Sequence, residues 1–87
     1  MSVKIHKYEV SVTGAPIYMR KGAKVISVGA QDNDVVIWVT EDTRNVFENR
    51  VIFGKLTGED VNPNCTHYGT AQLCNGVVVH VFEGESK

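Results

Sequence analysis

Five sulfur and imidazole side chains are the residues of this sequence best suited to metal or nucleophilic chemistry. They are His6, Cys65, His67, Cys74 and His80. Thiolate sulfur and imidazole nitrogen are the usual ligands of zinc, and a Cys–His pair can also activate a thiol for nucleophilic attack. The close spacing of Cys65 and His67, with His80 further along the chain, raises both possibilities.

The dipeptide Asn75-Gly76 decides how these side chains are arranged. Asn-Gly between two β-rich segments predicts a type I′ turn, because both central residues of that turn need positive φ. Such a two-residue loop places Ala71 opposite His80. His67 then lies about 13 Å along the strand from His80, at ~3.3 Å per residue, which is too far to share a metal ion. We therefore predict no metal site, and expect the His80 ring to be hydrogen-bonded at the edge of the core.

The same register divides the hairpin into two faces. The face that carries Thr70, Gln72 and Glu83 is predicted to be exposed. The other face is predicted to be the core, and it contains the pairs Leu73 with Val78, Ala71 with His80, and Gly69 with Phe82. Three valines, Val77, Val79 and Val81, lie on the first face, so a partner chain that covers this face is an alternative.

Motifs of the common enzyme classes are absent from the sequence. It contains no phosphate-binding Gly-rich loop, no Cys-x-x-Cys and no Gly-x-Ser-x-Gly elbow. The Cys-x-His pair would lie about 6–7 Å apart on a strand, without a third group to orient it. The acid pairs Asp32/Asp34 and Glu41/Asp42 fall in turn-like segments, where solvated carboxylates are expected. We predict no enzymatic activity and no cofactor.

Two charged segments are candidates for binding a partner protein. Arg20 and Lys21 belong to a predicted turn within the first 24 residues, which carry five basic residues and one acidic residue. Exposed positive charge at this turn would steer an acidic partner. Glu59 and Asp60 lie in the longest predicted loop, 57–64, and loops on a rigid scaffold often bind partners.

Glycine-rich stretches supply a different candidate site, for a nucleotide or another small ligand. Backbone N–H groups in such turns form concave nests that bind anions. The residues expected in the nest are Gly54, Gly58, Gly69 and Thr70. A small-ligand module built from these amides is an alternative function.

Composition predicts one small β domain that spans residues 1–87. Apolar residues make up 43% of the chain and charged residues 22%, which are ordinary values for a globular protein. No apolar run reaches the ~20 residues of a membrane span, and no apolar signal-peptide segment follows Met1. The net charge of −1 argues against nucleic-acid binding, which usually requires an excess of Lys and Arg. We expect a cytoplasmic protein with reduced cysteines and no membrane partner.

Alternating β-branched residues separated by turn signals predict an all-β fold. We expect six or seven short, mainly antiparallel strands in a small sandwich or open barrel, with the C-terminal hairpin turning at Asn75-Gly76. The apolar run 35–39 is typical of a central strand covered on both faces. Segment 41–50 is expected to be irregular. In the first strand the apolar residues Val3 and Ile5 lie at odd positions, whereas Tyr8 and Val10 lie at even positions. This change of alternation near His6-Lys7 indicates a bulge or a strand covered on both faces.

Two stretches of the sequence resemble those of a known family. Residues 22–28 read Gly-Ala-Lys-Val-Ile-Ser-Val, similar to its Gly-Ala-x-Val/Ile-Leu/Ile-Ser-Val phrase. Residues 68–83 are similar to its closing Tyr-x-Gly-Thr-x-Gln…Gly…Val-x-His-Val-Phe-Glu hairpin, except that Tyr68 and Gly69 are adjacent here. Segment 54–58 also replaces the family's Gly-Thr-Gly loop. The family consists of short phage and prophage proteins of uncharacterised function.

The resemblance implies a phage accessory protein in the cytoplasm of a bacterial host, and it implies no particular activity. We expect a binding protein that docks on a host or phage protein and alters it, as inhibitors of host defence do. The alternatives are a homo-oligomeric or virion-associated structural protein and the small-ligand module. The oligomer would use the apolar face of Cys74, Val77, Val79 and Val81.

Overall fold

The backbone is built from strands joined by turns and short loops. The computed structural model describes residues 2–84. Within this range the all-β prediction is confirmed: there is no helix, and hence none long and apolar enough to cross a membrane. The strands are β1 Val3–Val10, β2 Ile17–Arg20, β3 Lys24–Gln31, β4 Asp34–Asp42, β5 Phe47–Arg50, β6 Ile52–Leu56, β7 Thr66–Gln72 and β8 Val78–Glu83.

Segment 41–50 explains why the described chain has eight strands and not six or seven. We expected this segment to be irregular, but β4 continues through Asp42 and β5 begins at Phe47. Strand β5 pairs antiparallel with β2, with Arg50 opposite Ile17. Because β2 lies far earlier in the chain, the local sequence contains no signal for this pairing.

The strands form three small antiparallel sheets, in the orders β1-β4-β3, β2-β5 and β6-β8-β7. The first and third sheets meet at an isolated parallel bridge between Ser11 and Phe53, where the Gly54 N–H donates to the Ser11 carbonyl over 3.0 Å. At the opposite edges β3 contacts β7, and a Cβ on Gly69 would lie 3.1 Å from Val28 Cβ. The described strands therefore enclose one core without closing a barrel.

Strand β4 is the centre of the first sheet, as the apolar run 35–39 predicted. It pairs with β1 on one side and with β3 on the other. Its buried side chains include Val35, Val36, Ile37 and Val39. Because consecutive residues of a strand point to opposite faces, burial of both Val35 and Val36 confirms that both faces are covered.

The change of apolar phase in β1 does not come from a bulge. The register with β4 is unbroken along the whole strand, so the predicted irregularity at His6-Lys7 is absent. Val3 and Ile5 are exposed, at 56% and 63%, whereas Tyr8 and Val10 pack against the core. The first half of β1 thus turns its apolar side chains to solvent.

The C-terminal hairpin turns through three residues, 74–76, and not through the predicted two. The Gly76 N–H donates to the Leu73 carbonyl over 2.9 Å, and the Leu73 N–H donates to the Val77 carbonyl over 2.8 Å. Gly76 has φ +88°, but Asn75 does not adopt positive φ. The loop is therefore a type I turn followed by a left-handed glycine, and the type I′ prediction was wrong because that turn needs positive φ at both positions.

This loop shifts the pairing of β7 with β8 by one residue, which exchanges the two faces of β8. Ala71 faces Val79 and Gly69 faces Val81, and both valines are buried. The predicted core was correct for the residues of β7 and wrong for those of β8. The β8 residues that lie on the outer face are Val78, His80 and Phe82.

Buried side chains from all three sheets form one hydrophobic cluster. Its members are Met19, Ala23, Val35, Ile37, Val39, Ile52, Ala71, Val79 and Val81. Trp38, the tryptophan of the apolar run 35–39, is half-buried and lies against Gly29, where a Cβ would come within 2.8 Å of its ring. Because Met19 belongs to this cluster, the two-stranded β2-β5 sheet is anchored to the core.

We expect the substitution Gly76→Val to destabilise the protein by about 1 kcal/mol or more, because a β-branched residue resists positive φ. Gly76→Asn should cost less, since asparagine tolerates the left-handed region. Urea denaturation followed by circular dichroism measures both values. Equal stability of the Gly76→Val variant and the wild type would show that Gly76 does not need positive φ in this turn.

Candidate functional site

Arg20 and Lys21 lie at the end of β2 and in the turn that follows it. The Ala23 N–H donates to the Arg20 carbonyl over 3.1 Å, and Gly22 has φ +81°. A neighbouring turn supports this one, because the side-chain amide of Asn45 donates to the Lys21 carbonyl over 2.8 Å. The predicted basic turn is thus present, with the Lys21 side chain exposed.

The outward side of the β2-β5 sheet places aromatic residues beside this turn. Directly opposite residues of an antiparallel pair share a face. Tyr18 and Arg20 of β2 therefore share one with Asn49 and Phe47 of β5. We call these four residues the ribbon face.

Three side chains of the ribbon face are stacked. The Tyr18 and Phe47 rings lie 4.9 Å apart at an interplanar angle of 14°, and Arg20 Cζ lies 4.1 Å from the centre of the Phe47 ring. Tyr18 remains 61% exposed and Phe47 41% exposed. The stack is therefore an accessible surface of large apolar area with one cation on it.

The opposite side of the same sheet holds the ribbon face in place. Met19 is fully buried, and Ile17 packs against the core cluster. At the turn end, the Lys21 N–H donates to the Val46 carbonyl over 2.7 Å. These contacts fix the backbone that carries the stacked side chains.

A buried carboxylate, Glu41, also fastens the end of β2. Its side chain is 1% exposed. Oε2 accepts hydrogen bonds from the Arg20 N–H and the Tyr8 hydroxyl, each 2.8 Å long, while Oε1 contacts His6 Nδ1. Glu41 thus connects β1 and β4 to the backbone of the ribbon.

These contacts keep Glu41 ionised at neutral pH. Burial by itself raises the pKa of a carboxyl group, but the Arg20 amide, the Tyr8 hydroxyl and His6 outweigh it, so the pKa of Glu41 falls below its ordinary 4.5. Burial and the bond to Glu41 raise the pKa of Tyr8 to about 12. At neutral pH Tyr8 therefore donates its hydroxyl proton to an ionised carboxylate.

The expectation that Glu41 is a solvated turn residue was wrong. Segment 41–42 belongs to β4, and Glu41 continues the buried alternation of Val35, Ile37 and Val39. The sequence did not show which face of this strand is the core face, because residues 35–39 of both faces are apolar.

A second polar cluster joins three strands and the start of β3. Arg50 binds Glu83 through two hydrogen bonds of 2.7 Å, and its Nη1 donates to the Ala23 carbonyl over 2.5 Å. The Tyr68 hydroxyl donates to Glu83 Oε1. The Arg50 bond lowers the pKa of Glu83. The side chains of Arg50 and Glu83 are only 15% and 22% exposed, so this cluster is structural.

The second predicted partner segment, Glu59-Asp60, lies in the connection between β6 and β7. Both residues are exposed. Glu59 Oε1 accepts a hydrogen bond of 2.7 Å from the Leu56 N–H, so it stabilises its own turn. Neither residue belongs to the ribbon face.

The four residues of the predicted anion nest lie in three different places: the two faces of the third sheet and the turn that follows β6. Gly54 and Gly69 both pair with Val81 on the core side, and the Gly54 N–H is already bonded to Ser11. Thr70 lies on the outer face, and Gly58 lies in an exposed turn with φ +95°.

His67 and His80 are closer than the sequence suggested. Their ring centres are 6.4 Å apart and not about 13 Å, because the register shift and a bulge at Tyr68 place His67 opposite Phe82, only two residues along the strand from His80 and not the expected four. The prediction that the His80 ring is hydrogen-bonded is confirmed: its nitrogens contact the hydroxyls of Thr57 at 2.8 Å and Thr70 at 2.9 Å. Among residues 2–84, no three His, Cys, Asp or Glu side chains are grouped so that they could hold a metal ion.

Comparison with curated proteins finds no match, and comparison with solved structures finds none. One family model, described as a domain of unknown function (DUF7352), matches residues 1–87. This agrees with the expectation of a family whose function is uncharacterised. The chain therefore belongs to the DUF7352 family.

Proposed function

We propose that this protein acts by binding, docking on another protein through the ribbon face. The biological setting in this proposal is that of a phage-encoded accessory protein, which alters a host or phage protein in the bacterial cytoplasm. The resemblance of segments 22–28 and 68–83 to short phage proteins supports the setting. The geometry of the ribbon supports the mode of action.

The observation that carries the proposal is the exposed stack of Tyr18, Phe47 and Arg20. Tyrosine, phenylalanine and arginine are enriched in protein interfaces, and tyrosine and arginine are the commonest residues of binding hot spots together with tryptophan. Val46, which precedes Phe47 in the chain, is also exposed, at 71%.

The ribbon face is also supported by a well-packed backbone. Ordering a side chain on binding costs free energy, so a surface that is already ordered binds more tightly for the same contact area. The ribbon face is ordered by its own stacking and by the buried Met19 behind it. This is the arrangement expected of a docking surface and not of a flexible loop.

We expect the double substitution Tyr18→Ser/Phe47→Ser to abolish capture of the partner while leaving the fold intact. Purified protein immobilised on beads would be incubated with lysate of the bacterial host, and captured proteins compared by mass spectrometry. The matched control is Val3→Ser/Ile5→Ser, which removes equally exposed apolar residues from β1. The ribbon variant should lose a protein that wild type and control retain. Equal capture by all three would refute docking through the ribbon face.

Self-association is the second candidate, but not through the face first expected. Val79 and Val81 of that face are 2% and 0% exposed and belong to the core, which leaves only Cys74 and Val77 of it exposed. The exposed apolar side chains of β1, Val3 and Ile5, favour this candidate instead. Sedimentation equilibrium distinguishes the two functions: a mass above that of the 87-residue monomer, lost in Val3→Ser/Ile5→Ser, would favour self-association.

A further inference from the structure

We infer that Arg20 is a receptor for a carboxylate, so that the partner presents an aspartate or glutamate side chain next to an apolar residue. This inference rests on the proposed function and specifies the chemistry of the partner. It concerns the guanidinium group itself and not the general positive charge of the turn.

The guanidinium group of Arg20 is held by two contacts: Cζ lies over the Phe47 ring, and Nη1 donates to the Asn45 carbonyl over 2.8 Å. The backbone of the same residue is fixed separately, because the Arg20 N–H donates to the buried Glu41. An arginine fixed in this way loses little side-chain entropy when it binds a ligand.

One edge of this guanidinium remains available. Within residues 2–84, Arg20 Nε and Nη2 have no hydrogen-bond acceptor. An arginine presents pairs of parallel N–H groups that match the two oxygens of a carboxylate. The exposed Tyr18 and Phe47 rings lie alongside, where an apolar neighbour of the carboxylate would pack.

The charges around Arg20 favour an anionic ligand. The ribbon face contains no acidic residue. Two carboxylates lie near Arg20. Glu41 is buried and accepts the Arg20 N–H, and Asp42 is paired with Arg44, whose Nε and Nη2 donate to its two oxygens over 3.1 and 2.8 Å. Lys21 adds an exposed positive charge beside Arg20.

A carboxylate fits this surface better than a phosphate group does. A phosphate ester carries a charge of about −1.5 to −2 at neutral pH and is usually bound by a cluster of arginines. The ribbon face offers a single guanidinium, which matches the single charge of one carboxylate.

Two peptides test the inference directly. Acetyl-Leu-Glu-Glu-Leu-amide and acetyl-Leu-Gln-Gln-Leu-amide would be titrated at low salt into ¹⁵N-labelled protein, and the Arg20 Nε–H and the amides of Tyr18 and Phe47 followed by NMR. We expect saturable shifts with the glutamate peptide and at least about tenfold weaker binding of the glutamine peptide, because charge-assisted bidentate bonds are roughly twice as strong as neutral ones.

Two substitutions distinguish the effect of the guanidinium group from that of its positive charge. Arg20→Lys keeps the charge but loses the fork and the stacking, and should weaken binding of the glutamate peptide about tenfold. Lys24→Gln, which removes a charge from an exposed residue outside the ribbon face, should change it less than about twofold because exposed charges are screened. Equal affinity of Arg20→Lys and wild type would overturn the inference.

Other outcomes are equally decisive. Equal binding of the two peptides, no binding of either, or tighter binding of inorganic phosphate at Arg20 would each contradict a carboxylate receptor. If a protein is still captured from lysate in a way that depends on Tyr18 and Phe47, the proposed function stands, and only the inference that the partner presents a carboxylate is wrong. If the peptide binds at Arg20 but no ribbon-dependent partner is captured, docking on a protein is refuted and the carboxylate site stands.

Discussion

Replacing Glu41 with leucine is expected to destabilise the protein by about 3 kcal/mol, a large part of the stability of a domain of this size. The leucine fills a similar volume but removes the acceptor of the Arg20 N–H and of the Tyr8 hydroxyl. A buried donor left without an acceptor costs about 1–3 kcal/mol, and two donors lose theirs here. Urea denaturation at pH 7 measures the loss.

The control for this substitution is Glu9→Leu, which removes an exposed carboxylate from the neighbouring strand β1. It should change stability little, because exposed substitutions usually have small effects. If the two variants were equally stable, Glu41 would contribute no more than a surface residue does. Glu41 would then not fasten the end of β2 to the rest of the fold.

The variant Glu41→Gln adds a pH dependence to the same prediction. The pKa of Glu41 is lower in the folded protein than its ordinary 4.5, so the ionised form stabilises the fold above that pH. This contribution is lost as the pH falls through the folded pKa. We expect the stability difference between wild type and Glu41→Gln to be largest at neutral pH and to shrink below about pH 4.5. A difference independent of pH would contradict the assignment of charge to Glu41.

The substitution Arg50→Met should also cost about 3 kcal/mol, because it leaves the Glu83 carboxylate without its cation. Glu83 is only 22% exposed, and Arg50 supplies two of its hydrogen bonds. The same arginine binds the Ala23 carbonyl, so its loss loosens the contact between β5 and the start of β3. Thermal and urea denaturation at pH 7 measure the effect.

A matched control exists within the chain. Arg44 also binds a carboxylate through two hydrogen bonds, but its side chain is 62% exposed, against 15% for Arg50. Arg44→Met should therefore cost less, because water screens an ion pair whose arginine is exposed and the backbone N–H of residue 44 still donates to Asp42 Oδ1. The double variant Arg50→Met/Glu83→Met should recover part of the loss, because it removes the unpaired charge. Equal losses for Arg44→Met and Arg50→Met would show that burial does not govern these pairs.

The sequence by itself determined the local features of this protein. β-Branched segments and turn residues predicted the all-β class, the central position of β4 and the turn at Arg20-Lys21. These signals are local, because strand periodicity and turn conformation depend on residues close together in the chain. The matching family model covers the whole chain, but an uncharacterised family adds no function to them.

Only the tertiary structure decided which faces meet. Asn-Gly fits a two-residue loop and also a three-residue loop, and the choice depends on the φ of Asn75. A slip of one residue then moved His80 out of the predicted core and Val79 into it. The ribbon face depends on the pairing of β2 with β5, which are distant in sequence, and the burial of Glu41 depends on groups from β1 and β2. Contacts between distant segments are set by packing of the whole core, and no local pattern encodes them.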